Sequence, residues 1–301
     1  MKEFSKKLFY LVKKTVEQWQ EDKVSRLAAA LAFFAVLSIP SLMTLATTIA
    51  GQVIGERNAE QFVLSEAGTL AGPVARDALA TVLETAKNLQ GFTLSTLVSL
   101  AVLFFSASGV LVQLQDALDT VWDVQADPER GVMGTVKQRV FSFLVIVVIG
   151  ILLIALLLAN TFVSGLGESL NTLLPFSFGW ARVLTAVASL VSYTVLIAVL
   201  FKTIPNVQIS WRDVAIGAVV TALLLSLGLV GLNLYFQFSN PTSSYGAASS
   251  FMALLIWIYY SAQMLFLGAE FTEVYALRFG NHFRPDEGAI WDSSEHLVQA
   301  E

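Results

Sequence analysis

The feature that most constrains this chain is the apolar run Phe251–Leu267, polar only at Ser261 and Gln263. A helix rises about 1.5 Å per residue, so Ser250–Val274 is long enough to cross a hydrocarbon core of about 30 Å. We read it as a membrane helix, and as the last of several. Its polar content sets it apart. Tyr259, Gln263, Leu267, Glu270 and Val274 share one helical stripe. Glu270 follows Gly268 and Ala269, small residues that let a neighbouring helix come close. A carboxylate near lipid requires a partner or water. Two readings follow. Glu270 belongs to a polar path through a bundle, or it reaches the interface near its helix end and only fixes packing.

Composition agrees with a chain that lives in lipid. It is 55% hydrophobic and only 14% charged, against about 25% charged in soluble domains. Backbone groups in lipid must be satisfied within the segment, which a helix does. The fold class is therefore all-α: a bundle of six transmembrane helices with an N-terminal amphipathic helix and short extracytoplasmic helices. The chain has no Cys, and its two His, His282 and His296, lie in the polar tail. That excludes disulfides, thiolate nucleophiles and Cys-ligated metals, and leaves no His for a metal site or triad inside the membrane. No cofactor is implied.

In chain order, residues 1–26 form a cytoplasmic amphipathic surface helix. Phe4, Leu8, Leu11, Val12, Val16 and Trp19 recur at helical spacing, with Lys6, Lys7, Lys13 and Lys14 between them. Such a helix suits a surface of anionic lipid. Residues 27–280 form the transmembrane domain, with spans at about 27–50, 92–114, 140–163, 181–201, 214–237 and 250–274. The first apolar run is too long for a signal-peptide core and is read as retained. It contains Pro40, which removes one backbone hydrogen bond and is expected to kink the helix. Gly72-Pro73 reads as a helix start, followed by an apolar stripe at Leu79, Val82, Leu83, Ala86 and Leu89. Ser106–Gly109 is a small-residue patch suited to close helix contact. Asp116, Asp119 and Asp123 stand at i, i+3, i+7 and so on one helical face. They read as a divalent-metal site through oxygen ligands or as a solvated, base-paired face; no calcium-loop pattern or His accompanies them. Ser210-Trp211-Arg212-Asp213 reads as a capping box, with Trp211 an interfacial anchor. The tail, 281–301, is polar and expected to be loosely ordered.

Orientation follows from Lys and Arg. With the N-terminus inside, the four inner segments hold 7, 3, 2 and 2 of them, while the outer ones hold 3, 0 and 0, with Arg182 at a helix edge. Both termini are thus expected in the cytoplasm. The same topology brings Arg26, Asp116, Asp119, Arg139, Lys202, Arg212 and Glu270 to one side of the membrane. Charges at that depth call for pairing, so Glu270 is expected within ion-pair distance of a base, Arg26 first. Gln113, Tyr259 and Gln263 are the candidates for a polar path, with Asn160, Tyr193 and Asn233 as further polar positions within the spans.

Three segments together resemble the YihY/BrkB family of bacterial inner-membrane proteins. They are Arg26–Pro40; Phe105–Gly109 with Asp116–Val124; and Ile204-Pro205-Asn206 with Trp211-Arg212-Asp213, Tyr245-Gly246 and Leu267–Phe271. The resemblance spans roughly Arg26 to Gly280, with Phe33-Phe34 standing where tyrosines are common. It implies six spans, both termini inside and a place in the bacterial inner membrane. It also implies a part in envelope transport, of a lipid or small organic solute. The alternative is a non-transporting scaffold or assembly factor whose polar residues only join helices. The family's old name, ribonuclease BN, is not carried over. Metal-dependent RNA cleavage wants clustered His and carboxylates, and RNA binding a basic aromatic surface. The expected partners are membrane lipids and an unidentified lipid or solute, without nucleic acid; a homo-oligomer is left open. No catalytic residue and no resident metal are assigned.

Overall fold

The structure, a computed structural model, describes residues 2–71, 73–88, 109–127, 180–239 and 248–292, together with residue 245 and scattered positions between 144 and 165. Arg139, Asn160, residues 92–108, most of 140–163 and the end of the tail from 293 lie outside the described residues. The chain is an all-α membrane protein with a few short strands. Its described elements are α1 (Lys2–Glu21), α2 (Val24–Ile54), α3 (Glu56–Ala71), α4 (Pro73–Asn88), α5 (Trp180–Thr203), α6 (Trp211–Ser239) and α7 (Ser249–Phe279). Residues 109–121 are also helical. The strands are β1 (Val124–Ala126), β2 (Val207–Gln208), β3 (Arg284–Pro285) and β4 (Ala289–Trp291).

Among the described residues, three helices are long and apolar enough to cross a membrane: Val183–Thr203 of α5, α6 and α7. Their outward faces are apolar. On α5, Val183, Val187, Val191 and Val195 form one exposed stripe at i, i+4 spacing. On α6 the exposed set is Val219, Leu223, Leu227, Val230, Leu234 and Phe238. In water such stripes would be a liability; against lipid tails they carry no penalty.

Two compact units divide the chain. The first holds Met1–Asp22, Gln115–Ser226 and Leu265–Glu301; the second holds Lys23–Leu114 and Leu227–Met264. The division falls between α1 and α2, where Lys23 adopts a left-handed backbone with φ of 54°. It also cuts α6 after Ser226 and α7 after Met264.

In the second unit, α2 remains helical through Pro40. Pro73 opens α4, and α3 and α4 pack on each other and on α2. Ala32, Val36, Ala78, Leu254 and Ile258 form the core there, with Leu79 against it. A Cβ on Gly109 would meet the Phe34 ring at 3.3 Å, so the small-residue patch does serve close contact at that position.

In the first unit, α6 and α7 cross through two glycine–threonine pairs. A Cβ on Gly217 would collide with Thr272, and one on Gly268 would collide with Thr221. Each threonine hydroxyl donates to the carbonyl of the glycine four residues earlier on its own helix, Thr221 to Gly217 at 2.7 Å and Thr272 to Gly268 at 2.6 Å. The hydroxyls are thus satisfied without interhelical partners, and the glycines let the backbones approach. The Ser210 hydroxyl accepts from the Asp213 amide at 3.2 Å and caps α6. The Asp213 carboxylate takes the Ser210 hydroxyl at 2.9 Å and the Asn281 amide at 3.0 Å, so the same cap also holds the exit of α7.

Residues 281–292 depart from the expectation of loose order. β1 pairs antiparallel with β4, Val124 opposite Trp291, and β2 with β3, Val207 opposite Pro285. Phe283 stands edge-on to the buried Trp122, centroids 4.7 Å apart, and also meets Trp291 at 5.6 Å. Aromatic burial and backbone pairing to two separate loops order 281–292, although that segment is polar in composition.

Candidate functional site

The buried face of α1 is its polar one. Thr15 and Gln18 are buried beside Leu11, whereas Leu8, Phe9, Val12 and Val16 are exposed, Phe9 to 71%. Thr15, Gln18 and Asp22 fall at i, i+3, i+7 and so on one stripe. A helix that turns its apolar side outward and its polar side inward matches a polar interior on one side and lipid on the other. Two contacts fasten it to the end of α7. Lys7 Nζ sits 5.7 Å from the Phe279 ring centre, and the Arg278 guanidinium 5.8 Å from that of Tyr10.

Facing that polar stripe are Glu270 and Glu273 of α7. Both are 0% exposed, and none of their four carboxyl oxygens has a hydrogen-bond partner among the described residues. Asp22 reaches the Glu270 carboxyl, and the charges of Glu273 and Asp123 also act on it. Around Glu273 stand Asp123, Asp22, Gln18 and, as a base, Lys14. Gln18 approaches Glu273 without closing a hydrogen bond, and its own carbonyl oxygen is buried and unpartnered. The site is thus a set of four carboxyls and one amide, drawn from α1, α7 and the turn that ends the helix at 121.

That turn explains how Asp123 arrives there. Asp123 takes a left-handed backbone, φ 51°, leaving the helical face that a periodic reading assigns it. Its carbonyl accepts from the Asp292 amide at 2.9 Å, tying the turn to the tail. The three carboxyls read as one acidic face therefore diverge. Asp116 is exposed. Asp119 is buried and accepts from Asn206, backbone N at 2.7 Å and Nδ2 at 2.6 Å. Asp123 is buried, and its charge acts on the α7 glutamates. Among the described residues no group of three His, Cys, Asp or Glu is arranged to hold a metal ion.

Among the described residues no base pairs with Glu270, whose neighbours there are carboxyls; Arg139, one of the expected bases, lies outside them. Arg26 and Arg212 are both exposed, where water satisfies them. Glu270 is fully buried. Gln113, Tyr259 and Gln263 are each partly buried and belong to the second unit. Lys202 donates to the Ile209 carbonyl at 2.6 Å and lies 5.9 Å from the ring centre of Trp211, itself 60% exposed. Asp22, Gln18 and Glu273 escaped the sequence reading. Their signal was present: Glu273 lies one turn from Glu270, and Thr15-Gln18-Asp22 is a polar stripe opposite the apolar one on α1.

These features define a polytopic α-helical membrane protein with ionisable groups buried at one end of a transmembrane helix. Residues 15–289 match the family model described as "Virulence factor BrkB", and the chain belongs to that family. Its curated relatives carry the name UPF0761 membrane protein. One from Ralstonia nicotianae is 26% identical over 255 residues, covering 83% of this chain and 55% of the relative. One from Azotobacter vinelandii is 28% identical over 269 residues, 84% and 60% respectively. One from Vibrio vulnificus is 23% identical over 292 residues, 93% and 86%. The chain thus spans less than two thirds of the length of the Ralstonia and Azotobacter relatives. No solved structure matches it.

Proposed function

We infer that this protein sits in the bacterial inner membrane with six spans and both termini in the cytoplasm, and that it moves a lipid or small organic solute across. One observation carries the transport reading: Glu270 and Glu273 are fully buried in a membrane helix with every carboxyl oxygen unpartnered among the described residues. Ionisable groups at membrane depth are costly, and a structural role would be met at lower cost by apolar side chains. Orientation rests on the distribution of Lys and Arg. The exposed apolar and basic faces of α1 support contact with anionic lipid. The reading is of a non-enzyme that binds no nucleic acid, since a chain without Cys and with His only at 282 and 296 has few of the usual metal ligands or nucleophiles.

The competing reading, a scaffold, draws support from the glycine–threonine crossing of α6 and α7, which is built for close packing. Reconstitution separates the two. Purified protein in liposomes carrying a fluorescent phospholipid on both leaflets should speed its exchange between leaflets, or speed efflux of a trapped organic dye. Glu270→Gln with Glu273→Gln should abolish that acceleration while the protein still inserts. Exchange and efflux no faster than in empty liposomes would leave the scaffold reading standing.

A further inference from the structure

Among the described residues the carboxyl oxygens of Glu270 and Glu273 have no donor, yet they lie among other acids. Asp22 reaches the Glu270 carboxyl from the end of α1. Two ionised carboxylates are acceptors only, so they can bond to each other only through a proton that both share. Gln18, buried to 93% with its carbonyl oxygen unpartnered, points into the same group next to Glu273. Lys14 is the base whose charge reaches Glu273, and it forms no ion pair with it. Asp123 adds a further negative charge from the turn after residue 121. Among the described residues no group of three His, Cys, Asp or Glu is arranged to hold a metal ion.

We propose that Asp22, Glu270, Glu273 and Gln18 form a proton-binding site, in which Asp22 and Glu270 share one proton. Asp22 is the partly exposed member, at the break between α1 and α2, and the two glutamates are sealed. Protons therefore exchange with water through Asp22. Each transfer moves a proton between two carboxyl oxygens and leaves the acid count of the pair unchanged. The site stands whether or not the chain moves a substrate.

Infrared difference spectroscopy on the full chain in nanodiscs tests this without any transport. At neutral pH, wild type should show a protonated-carboxyl carbonyl band that shifts in heavy water. Glu270→Gln and Asp22→Asn should each remove the component of that band that comes from the shared proton, leaving only what Glu273 contributes. Gln is close in shape to a protonated Glu, so the first variant should still fold, and Asp22→Asn lies at the exposed end if it does not. A band absent from wild type would overturn the proposal. So would a band lost in Glu270→Gln but kept in Asp22→Asn, or a spectrum that changes only when sodium or a divalent ion is added.

Discussion

Alanine at position 268 is the sharpest probe of the α6–α7 crossing. A Cβ there would lie 2.6 Å from both Cβ and Cγ2 of Thr221. Carbon atoms rest at about 3.5–4.0 Å, so the helices would have to part by roughly 1 Å. Thr221 cannot swing away, because the clash includes its Cβ, which is fixed to the backbone. An extra methyl in a packed core costs about 1–3 kcal/mol, and a rigid neighbour puts this one near the upper end. Gly217→Ala should behave alike, since its Cβ would lie 2.7 Å from the Thr272 Cβ. The double alanine variant should lose less than the two singles together, because helices parted for one methyl have room for the second. Gly268→Ala combined with Thr221→Gly returns the space across the interface. It should recover most of the loss, short of the roughly 1 kcal/mol that a helical glycine costs. Unfolding in detergent, followed by circular dichroism against added dodecyl sulfate, measures all four. Unchanged stability in Gly268→Ala would refute the close crossing.

Two further outcomes are expected. Asp119→Ala leaves the Asn206 amide and side chain without their acceptor, and two bonds to a buried carboxylate are worth roughly 2–4 kcal/mol together; the unfolding midpoint should fall accordingly, and Asp119→Asn should fall less, since it keeps one acceptor. A midpoint unmoved by either would show the pair to be idle. Cysteines placed at Ser177 or Ser243 should react with an impermeant thiol reagent added to intact cells, as the Lys and Arg distribution requires, and labelling only after the membrane is opened would reverse the orientation.

Helices α5, α6 and α7 were legible because runs of apolar residues longer than a bilayer is thick have few other uses. Pro73 at the start of α4 and the Ser210 cap of α6 were legible for a similar reason: both act through neighbours in the sequence. What escaped notice depends on contacts far apart in the chain. The pairing of 284–291 with residues 124–126 and 207–208 involves strands of two or three residues, too short to show a period. The helical spacing of Asp116, Asp119 and Asp123 suggested one face, but the helix ends at 121 and a single left-handed residue redirects the third carboxyl. The ion pair expected at Glu270 followed from counting charges on one side of a membrane. That reasoning fixes which side, and says nothing about which groups are buried together.

The motifs that carry the family resemblance are scattered along the sequence, yet several meet in the first unit. Asp119 holds Asn206, and through it the α5–α6 connection. The Asn206 carbonyl in turn accepts from the Asp286 amide at 2.9 Å, within the tail. Asp213 caps α6 and grips Asn281, and the absence of a Cβ at Gly280 leaves room for its carboxylate, which a Cβ would meet at 2.7 Å. Trp122 packs under Phe283. All but the first of these contacts tie the exit of α7, or the tail beyond it, to a segment from elsewhere in the chain. Glu270 and Glu273 lie on the last three turns of α7, so the frame that fixes the exit also fixes the depth and rotation of the carboxyls. Asp123 is set by the same frame, since its carbonyl is bonded to Asp292. The polar motifs therefore do not need to touch a ligand to matter. They hold two buried glutamates opposite α1, whose other face is left to the lipid.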